Sequence, residues 1–250
     1  MKRAAVIGAG IAGLSAAWAL IQEKYQVDIY DQEHEVGAAC SNKAGGMIAL
    51  YNERQFTEEK LLPIYQHSSH LYPQWVQEIS KMSQMNHSYV EGTSYLIAID
   101  DDDQVELEYF YRAQCDDKIP MHWLSSKQLL QNLPYINPRA KAAATCQEAF
   151  LQPNIFLNCL YLALEKSKAR FYFSKRIPVL DIQNNRLCGL FYQDKKIAYD
   201  CIILAQGSDA SCLLGANDPL AQYIRPIKGD AIILQAPDNF ELKHVIRSLH

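Results

Sequence analysis

Apolar and polar positions alternate along the chain in two rhythms, one of strands and one of helices. Residues 3–7 form a short apolar run, and residues 26–30 form a second that ends at Asp31. Between them, residues 13 to about 23 read as a helix, so the chain opens strand, helix, strand. From Glu58 to about Met85, Leu61, Tyr65, Tyr72, Trp75, Val76, Ile79 and Met82 recur at helical spacing and predict a long amphipathic helix. Residues 95–99 alternate like a strand, and the acidic run 100–103 reads as a solvated turn. Residues 125–133 predict a capped short helix stopped by Pro134. Asn154, with Pro153 just ahead, is placed to cap a helix reaching about Lys168. Short strands are then expected at 170–173, 178–182, 187–192, 197–199 and 202–205, with Asn184-Asn185 as a hairpin turn. A further strand is expected at 231–235. No internal repeat or low-complexity tract interrupts the pattern.

Composition narrows the picture. The 250 residues suit one large α/β domain or two small ones, and 49% hydrophobic residues supply a core. The formal net charge is −4, and no Lys/Arg block exceeds two residues. That gives no footing for a nucleic acid or an anionic membrane. Seven cysteines (Cys40, Cys115, Cys146, Cys159, Cys188, Cys201 and Cys212) are an odd number with no C-x-x-C spacing. They argue for reduced thiols in a cytoplasmic setting rather than disulfides or zinc. Met1-Lys2-Arg3 and the apolar run to Leu20 look like an export signal, but the spaced glycines, Ser15 and the strand that follows argue against it. No other stretch reaches the roughly eighteen apolar residues of a membrane span.

The sharpest motif is Val6-Ile7-Gly8-Ala9-Gly10-Ile11-Ala12-Gly13, a G-x-G-x-x-G between a strand and a helix. Gly8 allows a tight turn, Gly10 lets backbone approach a pyrophosphate, and Gly13 lets helix and strand pack closely. The helix N-terminus then offers N–H groups and the positive end of its dipole. Asp31 closes the next strand 18 residues after Gly13, where a carboxylate can accept from ribose hydroxyls. The same carboxylate would repel a 2′-phosphate, which disfavours NADP.

The segment from Val36 to Ile48 separates FAD from NAD. An NAD dehydrogenase would normally enter another βαβ crossover here, whereas this chain has a loop of small residues, V-G-A-A-C-S-N-K-A-G-G-M-I. Ser41 and Asn42 can bond phosphates or a ribityl chain, and the stretch from Gly45 to Met47 can lie against a flat ring. FAD is therefore the expected cofactor. FMN is excluded, because it has no adenosine ribose for Asp31.

The pairing of V-I-G-A-G-I-A-G with a loop ending A-G-G-M resembles the D-amino-acid-oxidase superfamily of FAD-dependent oxidoreductases, and within it the glycine oxidases linked to thiamine biosynthesis. The likeness continues in short blocks: His67-Ser68 with Leu71-Tyr72, His122-Trp123-Leu124-Ser125, and the segment from Phe150 to Asn154. Ile203-Leu204-Ala205-Gln206-Gly207 is similar to the strand whose last glycine touches the flavin. Arg225-Pro226-Ile227-Lys228-Gly229-Asp230 is similar to a P-V-[KR]-G-[EQ] block. The resemblance implies an α/β (α+β overall) fold, with a Rossmann-type FAD-binding domain at 1–85 and 140–215. A mixed, antiparallel-sheet substrate domain is expected at 86–139 and 216–250. By position, Gly8, Gly10, Ile11, Ala12, Gly13, Asp31, Gln32, Ser41, Asn42, Gly46, Met47, Ile48, Val179 and Gly207 are the expected cofactor contacts, Val179 through backbone at the adenine. The family's usual Glu at the second strand is here the shorter Asp31.

The same resemblance implies hydride removal from the α-carbon of a small amine or amino acid to flavin N5, followed by hydrolysis of the imine. No acid/base pair is required and no catalytic residue is named. Arg225 and Lys228 stand evenly between electrostatic help to reduced flavin and ordinary surface positions. In the family, the segment resembling residues 244–250 leads into strands carrying a Tyr and carboxylate-binding Arg residues, so the chain is expected to be incomplete at its C-terminus: a truncation or a split subunit. The expected partners are a small amine or amino-acid substrate, and either a second copy or a separate C-terminal half. Two other readings stay open. One is the flavin domain of a tRNA-modifying oxidase, which the net charge disfavours. The other is a non-catalytic FAD-binding remnant. His67 and His70 stand at i, i+3 without a third metal ligand, and Cys40 is read as a buried structural thiol in preference to a reactive one near the helix dipole. No G-x-S-x-G nucleophile motif occurs.

Overall fold

The computed structural model describes residues 2–52, 60–184, 186–214, 218–237 and 242–249. In chain order the first elements are β1 (Arg3–Ile7), α1 (Ile11–Gln22), β2 (Gln26–Asp31), β3 (Met47–Ile48), α2 (Leu62–Ser83) and β4 (Val90–Ala98). There follow α3 (Asp101–Asp116), β5 (His122–Ser125), α4 (Ser126–Asn132), β6 (Ala142–Phe150) and α5 (Pro153–Lys166). The last are β7 (Arg170–Phe173), β8 (Val179–Gln183), β9 (Arg186–Tyr192), β10 (Lys195–Ile197), β11 (Cys201–Leu204), α6 (Ser211–Leu214) and β12 (Val245–Ser248).

The chain divides into two compact units. The first comprises Met1–Gly45, Trp75–Ser88 and Gln152–Ile233. Its centre is a parallel sheet in the order β11-β1-β2-β7. Alternate residues of a strand face opposite ways, and both faces are covered. Ala4, Val6, Val27 and Ile29 are buried on one side, where α1 packs with α5. On the other, Ala5, Ile7 and Tyr30 pack against Leu190 and Tyr192 of the antiparallel sheet β10-β9-β8. Burial of both faces is what a parallel sheet requires, and it explains the unbroken apolar runs of β1 and β2.

The second unit comprises Gly46–Gln74, Tyr89–Leu151 and Leu234–His250. Its sheet runs β12-β4-β6-β3, with β5 also paired to β6. Every pairing is antiparallel except β12 with β4. Leu96, Ala98, Ala144 and Cys146 pack with Leu107 of α3 on one face. Tyr95, Ile97 and Ala143 pack with Leu129 of α4 and with Leu133 on the other.

The unit boundaries differ from the sequence-based division: Gly46–Gln74 and residues 140–151 go to the second unit, because β3 and β6 pair in its sheet, while residues 86–88 and 218–233, expected in the substrate domain, go to the first. The acidic run is no turn but the start of α3. Asp100 caps it by accepting from Asp103 N at 2.9 Å, and buried Asp103 accepts from Ile99 N at 2.8 Å. Acidic side chains suit the positive end of a helix dipole. Gln152, without a side-chain cap bond, stands at the N-cap of α5 in place of Asn154, with Pro153 in the first turn, where its missing N–H is no loss. In α2 the buried apolar residues are Val76 and Ile79, while Leu61 just before it and Tyr65 and Met82 within it are exposed; Glu58 lies outside the described residues, as does Asn185 of the expected hairpin. Residues 231–235 form no strand: Ile232, Ile233 and Leu234 are 83–98% exposed. Among the described residues no helix is long and apolar enough to cross a membrane.

Candidate functional site

The turn between β1 and α1 is fixed by backbone alone. Gly8 N donates to Tyr30 O at 2.7 Å, and Ala205 N donates to Ile7 O at 2.7 Å, so β2 and β11 flank the turn closely. Gly8 has φ +113°, and a Cβ there would stand 2.2 Å from Ala205 O. A Cβ on Gly13 would stand 1.9 Å from Gly8 O. Both positions therefore exclude any side chain. The N-cap of α1 is Gly10, with no side-chain cap and no acid in the first turn, which leaves the N-terminal end of the dipole open to an anion. One leading amide, Ile11 N, donates to Ser41 Oγ at 3.1 Å.

The loop after β2 folds back against this turn. Gly37 N donates to Ala9 O at 2.9 Å, and Asn42 N to Gly37 O at 2.9 Å. Asn42 Nδ2 donates to Val36 O at 3.2 Å, and its Oδ1 is buried without a partner. Asp31 receives Ala9 N on Oδ2 at 2.6 Å and Glu33 N on Oδ1 at 2.8 Å. Gln32 Nε2 donates to Asp209 Oδ2 at 3.0 Å. Tyr30 OH and Tyr199 OH lie 2.7 Å apart, and burial pushes the Tyr30 hydroxyl up to about 12.

These pieces enclose an open cavity of about 310 Å³ in the first unit. Of the residues expected at a cofactor, Gly8, Gly10, Ile11, Ala12, Asp31, Gln32, Ser41 and Gly207 line it. Gly13 and Asn42 act behind the wall, in the packing and loop contacts just given. Val179 does not line the cavity; it sits on β8, 61% exposed, and the residues just before it, Ile177 and Pro178, line the wall instead. Gly46, Met47 and Ile48 belong to the second unit, with Met47 and Ile48 on β3. Cys40 is exposed and lines the cavity, contrary to the buried structural role expected for it. Lys228 is 85% exposed and pairs with Asp230 at 3.0 Å, and Arg225 is exposed. His70 Nδ1 is 2.7 Å from Gln66 O, and no metal-binding cluster occurs among the described residues.

Sequence reasoning missed Glu33, Gln206 and Asp209, which also line the cavity. The available signal was topological: ligands sit beyond the carboxyl ends of parallel strands, and residues 205–209 follow β11, the strand beside β1. The wall carries three carboxylates, Asp31, Glu33 and Asp209, and no Lys, Arg or His among the described residues lining it. Such a rim accepts hydrogen bonds from ribose hydroxyls and repels a 2′-phosphate. The glycine N-cap of α1 and the side-chain-free turn suit a pyrophosphate. The residues present therefore fit the adenosine diphosphate half of FAD.

Residues 3–249 match the family model described as DAO, FAD dependent oxidoreductase. A glycine oxidase of Geobacillus kaustophilus is 22% identical over 236 residues, covering 93% of this chain and 61% of that protein. A Rhizobium etli protein with the provisional name thiamine biosynthesis oxidoreductase ThiO is 31% identical over 169 residues, covering 67% of this chain and 47% of its own length. The chain thus spans about half to three-fifths of the length of these relatives. Among solved structures, glycine oxidase from Geobacillus kaustophilus shares the fold with a TM-score of 0.76 at 21% identity, covering 86% of this chain and 58% of that one.

Proposed function

The chain belongs to the family of FAD-dependent oxidoreductases, and from that premise we propose that it holds FAD by its adenosine diphosphate half in the first unit and serves the oxidation of a small amine or amino acid. The observation that carries the cofactor reading is the open, glycine-walled N-terminus of α1 facing the same cavity as Asp31. The substrate class is supported by the names of its relatives, a glycine oxidase and a thiamine-biosynthesis oxidoreductase. Bound FAD would supply a hydride acceptor.

The chain's own residues bind and orient. The α1 amides and dipole hold the pyrophosphate, Ser41 steadies the first turn through Ile11 N, and Asp31 accepts from the ribose. Ile177 and Pro178 give the flat adenine an apolar wall. Mass spectrometry of the cofactor released from purified protein should return FAD; FMN or NADP would overturn the reading. Peroxide release from FAD-loaded protein, screened over glycine, sarcosine and D-amino acids, tests the substrate class. Saturable turnover of a non-amine substrate alone would replace it.

A further inference from the structure

The first half of α2 leaves an apolar stripe uncovered. Within the second unit the helix runs from Leu62 to Gln74. At helical spacing Leu62, Gln66, Ser69 and Tyr72 share one side. All four are half-buried, and Tyr72 stacks on Tyr89 with ring centroids 5.9 Å apart, so this side looks inward. Ile64, Ser68 and Leu71 recur at i, i+4 and i+7 on the other side. Ile64 is 60% and Leu71 53% exposed, and exposed Leu61, just ahead of the helix, extends the stripe.

The stripe meets water without the charges that normally surround one. No Asp, Glu, Lys or Arg occurs from Leu61 to Gln74, although charged residues make up 21% of the chain. Depletion of charge around apolar and aromatic side chains marks the core of a protein interface rather than a solvated surface. It also selects the occupant. In an isologous contact, residues near the two-fold axis face their own copies, so a charge there would meet a like charge. A neutral stripe carries no such penalty, whereas a charged partner would find nothing on it to pair with.

We propose that this face of α2 docks a second copy of the chain, the two helices crossing antiparallel about Ser68. The small Ser68 lets the backbones approach at the axis, and Ile64 of each copy lies against Leu71 of the other. The seam is about 20 Å long and one helix wide, smaller than the roughly 800 Å² per partner of a standard interface. The pair therefore dissociates in the micromolar range and is not obligate. The inference stands apart from the dinucleotide reading, since it uses neither the cavity nor a cofactor.

Sedimentation velocity of the purified chain over roughly 1–200 µM tests this. The wild type should pass from one chain to two across that range. Ile64→Glu and Leu71→Glu should each raise the dissociation constant by at least about tenfold, because a charge then enters an apolar contact. Both positions are exposed, so the dilute variants should melt at the wild-type temperature. Ile64→Glu combined with Leu71→Lys sets opposite charges across the axis and should recover most of the affinity at low salt. Ile233→Glu, at another exposed apolar position, should leave association unchanged. A wild type that stays a single chain at every concentration would overturn the proposal. So would association that Ile64→Glu and Leu71→Glu leave intact, or that Ile233→Glu abolishes. A charge pair that recovers nothing would overturn the antiparallel crossing about Ser68.

Discussion

Asp31 is held at both oxygens, by Ala9 N at 2.6 Å and Glu33 N at 2.8 Å. The shorter side chain at this position therefore ties the glycine turn to the end of β2 and still keeps lone pairs for a ribose. Asp31→Ala should weaken FAD by on the order of 1.5–3 kcal/mol, more than tenfold, through loss of charge-assisted bonds. Asp31→Asn, which retains one acceptor, should fall between the two. A fluorescence titration giving an unchanged affinity for Asp31→Ala would remove Asp31 from the ribose. Residues of this kind were legible because the spacing of Gly8, Gly10, Gly13 and Asp31 encodes a local geometry. Asp209 was not legible, since its contact with Gln32 spans 177 residues. Val179 was placed by resemblance, and the structure puts its two predecessors at the wall instead.

Buried polar chemistry ties the strands of the first unit together. Asp28 on β2 is 1% exposed. It receives Arg170 of β7 through Nε at 2.6 Å and Nη2 at 2.8 Å, Arg3 of β1 at 3.0 Å and Tyr199 OH at 2.6 Å. Tyr199 in turn meets Tyr30 OH. Burial raises the Tyr30 hydroxyl from 10.0 to about 12. A group raised in the folded state keeps its full contribution below the unfolded value of 10 and loses it as pH climbs through 12. The urea midpoint should therefore fall between pH 10 and 12, with Tyr30 contributing on the order of 2 kcal/mol. In Tyr30→Phe that fall should be smaller, and an equal fall would mean that Tyr30 is not the titrating group. At this scale the sequence reads well where packing agrees with local pattern, as in β1, α1, β2 and α4. It misleads elsewhere. The acidic run expected as a turn starts α3, whose Leu107 is buried while Val105 and Tyr109 are exposed. The alanine-rich β6 has weak strand propensity but pairs with β3, β4 and β5. Residues 231–235 have strand composition and, among the described residues, no paired neighbour.

At the scale of the whole molecule, a ligand stabilises the unit that holds it. The expected contacts fall into two sets. One is gathered around the cavity of the first unit. The other, Gly46, Met47 and Ile48, lies in the second unit. A ligand that binds only the folded state stabilises it by an amount set by its concentration relative to Kd, about 2.7 kcal/mol at a hundredfold excess over Kd. ADP contains every group that the first-unit cavity fits, so ADP and FAD should both raise the thermal midpoint in a concentration-dependent way. FMN, which lacks the adenosine, should not. NADP should fall well short of NAD, because its 2′-phosphate meets Asp31, Glu33 and Asp209 without a lining cation. Hydrogen exchange locates the effect: ADP should slow exchange at residues 8–12 and 205–209, which flank the cavity. Stabilisation by FMN as strong as by FAD, or ADP protection confined to the second unit, would show that the cavity of the first unit is not where the cofactor is held.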